Sequence, residues 1–150
     1  MAWSSPRTWT TGEIVTAALM NTHLRDNLNV LNPNSFTYIH APGAVLSAGS
    51  VTYVRFPYAA CLQIVEAVTD GASPVEFRFS KDSYANFPPA SDTDAIDGSS
   101  PLNTGSARKQ QITTLGTWSP SLADGDYLGI HIVAASGVTW TSIGVEFNRT

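Results

Sequence analysis

The feature that most narrows the fold is alternation. Val75-Glu76-Phe77-Arg78-Phe79 places an apolar side chain at every second position, the period of a strand with one face buried and one face wet. The same period returns along the chain. Phe36, Tyr38 and His40 alternate with Thr37 and Ile39. From Val51 to Phe56, Val51, Tyr53 and Arg55 fall on one face and Thr52, Val54 and Phe56 on the other. Leu62 to Val68 and Gln110 to Leu115 are further runs. Tyr127 to Val133 turns Leu128, Ile130 and Ile132 inward, and Thr139 to Asn148 aligns Thr141, Ile143, Val145 and Phe147. Asp70-Gly71, Gly125 and Gly137 supply the turns. About seven or eight short strands separated by turns predict an antiparallel β-sandwich of jelly-roll type over residues 34–150.

Residues 80–108 break this rhythm and are rich in Ser, Asp, Asn, Gly and Pro. A loop of that length in a compact domain is usually functional or disordered. Within it, Asp92-Thr93-Asp94-Ala95-Ile96-Asp97-Gly98 has the oxygen-rich spacing of a calcium loop. The third aspartate comes one residue late for an EF-hand, however, and no closing glutamate follows. A solvated loop, with no metal and no cofactor, is the expectation. Tyr84, Phe87, Trp118 and Trp140 lie in or near loops. They are candidates to stack on a sugar ring or meet a partner protein, with protomer contact or core burial as the competing use.

The N-terminal part reads differently. Ala17, Met20, Leu24, Leu28 and Leu31 recur at helical spacing. Thr10 to Glu13 spells a capping box, but Gly12, Ile14 and Val15 are poor helix formers, so Thr16 is taken as the N-cap. Asn32-Pro33 ends the helix. A helix of roughly three turns is marginal alone in water, so its apolar stripe needs a partner. That partner is either its own domain or copies of itself around an axis. Ahead of it lies an arm bearing Trp3 and Trp9. The domain reading is an arm and anchor helix over 1–33 followed by the sandwich over 34–150.

Charged residues make up only 13% of the chain, against about 25% in ordinary globular domains. Hydroxyl and amide side chains take their place, as suits a virion or extracellular β protein or one that meets copies of itself. The net charge is −4 and the cations are scattered, which argues against nucleic-acid binding. No apolar run approaches the roughly 18 residues that span a membrane, and no signal-peptide core opens the chain. Cys61 is the only cysteine and is expected to be a small buried hydrophobe. His23, His40 and His131 show no metal-ligand spacing, the carboxylates show no preferred pair, and no nucleophile elbow is present. No catalytic residue is assigned, and the chain is expected not to be an enzyme.

The run W-x-x-G-E-x-V-T-A-A-x-x-N-x-H-x-R-D-N is carried by Trp9, Gly12, Glu13, Val15, Thr16, Ala17, Asn21, His23, Arg25, Asp26 and Asn27. It resembles the N-terminal segment of tailed-bacteriophage structural proteins, in which a short anchor precedes a β-rich domain. The resemblance implies a virion protein made in the host cytoplasm. Either it is a tail-associated fibre or spike component touching the host surface, or it is a capsid decoration protein or head fibre that stabilises the shell. The implied partners are copies of itself, as a homotrimer, other tail or capsid proteins, and a host-surface glycan. Trp3, Trp9, Ala17, Met20, Leu24, Leu28 and Leu31 are the expected anchor and oligomer contacts.

Overall fold

The computed structural model of the protein describes residues 8, 10–14, 16–22, 34–40 and 44–150. The chain divides into two compact units, Met1–Pro33 and Asn34–Thr150.

In the first unit, helix α1 covers Ala17–Met20, and the Thr16 side chain accepts the Leu19 backbone N–H at 3.3 Å. The Thr10–Glu13 box forms as a turn instead. The Glu13 carboxylate takes the Thr10 backbone N–H at 3.3 Å, while Gly12 sits at φ +85°, which no right-handed helix uses. Ala17 and Met20 are exposed. Trp3, Trp9, Leu24, Leu28 and Leu31, the other expected contacts, lie outside the described residues.

The second unit is built from the alternating runs. Its strands are β1 (Ser35–His40), β2 (Val51–Arg55), β3 (Ala60–Thr69), β4 (Val75–Asp82), β5 (Leu102–Asn103), β6 (Lys109–Ile112), β7 (Ser121–Leu122), β8 (Tyr127–Ala135) and β9 (Thr141–Arg149). One sheet runs β1-β9-β3-β6, with β7 added on β3, and the other runs β2-β8-β4-β5. Every pair is antiparallel. The pairing is nested: β1 with β9, β2 with β8, β3 with β6 and β4 with β5. The first four strands therefore meet the later ones in reverse order, as a long hairpin wound into two layers. This is the jelly roll that the sequence predicts.

The inward faces follow the period. Val75, Phe77 and Phe79 on β4, Leu128, Ile130 and Ile132 on β8, and Ile143, Val145 and Phe147 on β9 are all buried. Each side chain of this size contributes roughly 1.5–3 kcal/mol by leaving water. A bulge in β3 between Leu62 and Ile64 changes the parity, so that Leu62 and Val65 both reach the core. Cys61 departs from expectation. Ala60 and Leu62 take the inward positions, which leaves Cys61 half-buried on the outer face.

Residues 80–108 also depart from the expected free loop. β4 continues to Asp82, and the chain then returns along the same strand. Ala95 bridges Ser80, and Ile96 donates its N–H to Phe79 O at 2.8 Å. The Asp97 Oδ2 accepts the Phe79 N–H at 3.0 Å, a carboxylate standing where a strand carbonyl would. Leu102 pairs with Phe77, and Ile96 and Leu102 are both buried. Two apolar anchors and one side-chain mimic of a strand hold the segment to the sandwich.

Candidate functional site

The outer face of the β2-β8-β4 layer carries the most unusual chemistry. Register sets three rows across it: Val51–His131–Arg78, Tyr53–Gly129–Ser80 and Arg55–Tyr127–Asp82. The opposite positions of β8 are the buried Leu128, Ile130 and Ile132, so these rows face away from the core.

Gly129 makes the middle row possible. A Cβ there would lie 2.6 Å from Ser80 Oγ, 2.7 Å from His131 Nε2 and 3.3 Å from the Tyr53 ring. The space it leaves lets Ser80 Oγ and His131 Nε2 come within 2.6 Å of each other. Burial holds the His131 imidazole below its ordinary range, and the charge of Asp92 works in the opposite direction. The ring is therefore neutral at neutral pH and shares a hydrogen bond with Ser80. Spacing of this kind also serves a nucleophile and its base. Ser80 has no exposed surface, however, so a substrate cannot reach its hydroxyl. The pair is a structural clasp between β4 and β8.

Beyond β4 the chain folds back over this face. The Asp82 Oδ1 accepts the Ser83 N–H at 2.7 Å and an Asn86 side-chain N–H at 3.1 Å, which fixes the 3-10 turn Tyr84–Asn86. The turn delivers Tyr84 and Phe87 onto the strand rows. Phe87 lies 4.9 Å from Tyr53 and 4.9 Å from Tyr127, centroid to centroid. Tyr84 lies 6.2 Å from Tyr127, and Tyr53 stands edge-on to His131 at 6.1 Å. These are the distances of favourable ring pairs. The result is an aromatic shelf whose outermost members stay in water: Tyr84 is 76% exposed and Phe87 43%. Arg55 and Asp82 flank Tyr127 on its two neighbouring strands, and the Arg78–Asp92 ion pair, at 3.5 Å, stands beside His131.

Of the four aromatic candidates read from sequence, the fold brings Tyr84 and Phe87 together. Trp118 takes the competing use, core burial. It is buried 5.2 Å from the Phe79 ring, and its Nε1–H donates to Ser100 O at 3.2 Å. Trp140 sits at the far end of β8 from Tyr127, on the turn into β9, and is 38% exposed. There the Asp70 carboxylate accepts the backbone N–H groups of Thr139 and Trp140, at 3.0 and 3.4 Å. The Thr139 hydroxyl, the leading cause, and these backbone donors hold the Asp70 pKa down. Sequence reasoning missed Tyr53, Tyr127 and Gly129. The first two carry a signal, an aromatic at an outward strand position, but only the long-range register shows that they meet.

The aspartates of the calcium-like run diverge. Asp92 pairs with Arg78, Asp94 accepts the Ala90 N–H at 2.6 Å and Asp97 binds Phe79. Among the described residues no three His, Cys, Asp or Glu side chains converge on a metal-sized site. No described helix is long and apolar enough to cross a membrane.

No protein-family model and no curated protein matches the chain. Among solved structures it is similar to a chain of the "Structure of infectious bursal disease virus Gx strain", at 8% identity and a TM-score of 0.23. The match covers 77% of this chain and 38% of the viral one. A score that low carries no argument about either fold or role.

Proposed function

We propose that this chain is a structural protein of a bacteriophage particle, a tail-associated component that holds to the particle by its N-terminal segment and turns its jelly roll outward. The observation that carries the reading is the motif from Trp9 to Asn27, set in a unit distinct from the sandwich. The aromatic shelf supports it, because a particle protein that meets a host surface needs an exposed and preassembled contact face. The chain acts by binding and not by catalysis. It binds itself as a homotrimer, other tail or capsid proteins, and a host-surface glycan, and it has no role on nucleic acid or in a membrane. It is made in the host cytoplasm and works in the virion. The alternative is a capsid decoration protein or head fibre, in which the Trp3 and Trp9 arm clasps the shell.

Burying one tryptophan removes on the order of 200 Å² from water, which at about 25 cal/mol per Å² is several kcal/mol before ordering costs. Three protomers multiply such anchors into avidity. Trp3→Ala combined with Trp9→Ala is therefore expected to leave the melting temperature of the sandwich unchanged and to lower abundance in purified particles more than tenfold. Normal abundance of the double variant would move the anchor elsewhere.

A further inference from the structure

We infer that the shelf formed by Tyr84, Phe87 and Tyr127 is a binding site for a neutral pyranose ring of an extended glycan. The inference deepens the reading above, since it names the ligand class for the face that the particle protein presents.

Two rings of the shelf remain in water although the fold offers each a neighbour to stack on, with Tyr84 at 76% and Phe87 at 43% exposure. They are held there rather than left loose. Asp82 ties the turn that carries them through Ser83 and Asn86, and Phe87 is wedged against Tyr53 and Tyr127. A ligand would therefore meet rings already in place, with little ordering cost.

The rim selects the occupant. Tyr127 has Arg55 on one side and Asp82 on the other, each one strand away, or about 4.8 Å. Arg55 makes no ion pair among the described residues. The Asp82 Oδ2 accepts no hydrogen bond among them, because both bonds to that carboxylate go to Oδ1. An apolar platform with a free donor fork on one flank and a free acceptor on the other matches a sugar ring. Its C–H face lies on the aromatics while its hydroxyls reach outward in both directions. An apolar peptide would leave both polar groups unpaired. The opposite charges of Arg55 and Asp82 offset one another, which favours a neutral sugar over an acidic one.

Saturation-transfer NMR on the purified chain tests this, with cellobiose, lactose, maltotriose and diacetylchitobiose as neutral probes and 3′-sialyllactose as the acidic comparison. The expected result is transfer to the ring C–H protons of at least one neutral probe. Tyr84→Ala and Phe87→Ala should each weaken binding at least tenfold, and Trp140→Ala should leave it unchanged. The inference is overturned if no neutral probe receives saturation, if transfer survives both shelf variants, or if 3′-sialyllactose binds best and does so through Arg55. It is also overturned if sedimentation shows copies joined through the shelf and separated by Tyr84→Ala. Particle abundance of Tyr84→Ala, measured alongside, separates the two readings. Normal incorporation without sugar binding by the parent chain sinks only this inference, and a parent chain absent from particles sinks the particle reading.

Discussion

Asp97 is buried, and its Oδ1 has no hydrogen-bond partner among the described residues. Burial, the largest influence, raises its pKa above the ordinary 3.8, against the Phe79 N–H and the Arg78 charge, which lower it. A carboxyl with a raised folded-state pKa binds its proton more tightly in the folded chain. Its favourable contribution is present below about pH 3.8 and is lost as the pH rises through the folded-state value. Neutral pH therefore favours the fold less than acid pH does, as far as this group is concerned. Asp97→Asn keeps an oxygen for the Phe79 N–H and removes the charge. The melting temperature of the variant relative to the parent is expected to be more favourable at pH 7 than at pH 4. An identical difference at both pH values would show that Asp97 does not titrate in the fold. Gly129 is the complementary case at this scale, since a hydrogen in place of a side chain lets Ser80, His131 and Tyr53 share one spot.

At the scale of elements, what could be read from the chain was whatever depends on local period. The inward sets Val75, Phe77, Phe79 and Leu128, Ile130, Ile132 follow directly from alternation, and so do the turns at Gly125 and Gly137. What could not be read depends on partners distant in sequence. Ser80 meets His131 across 51 positions, and Phe79 receives Asp97 across 18. Composition marks 80–108 as a polar loop because its two anchors, Ile96 and Leu102, are thinly spread among Ser, Asp and Gly. The same dilution hides the burial of Trp118. If the segment is truly stitched to β4, Ile96→Ala should destabilise the protein by about 2–5 kcal/mol, the cost of emptying a core site. Denaturant unfolding measures it, and a cost below about 0.5 kcal/mol, typical of surface positions, would return the segment to a free loop.

For the whole molecule, the nested pairing from β1–β9 inward to β4–β5 gives Asn34–Thr150 a core of its own. Within that unit the outer face of the β2-β8-β4 layer carries the exposed Tyr84 and Phe87. On the proposed reading the fold is the carrier and the shelf is the face that a particle component shows. Immunogold electron microscopy of purified phage, with antibody raised against residues 34–150, tests this most directly. The account predicts label on the tail of intact particles, reaching the sandwich without disruption. Label spread over the head would place the chain as a shell decoration, and particles without label would contradict the account.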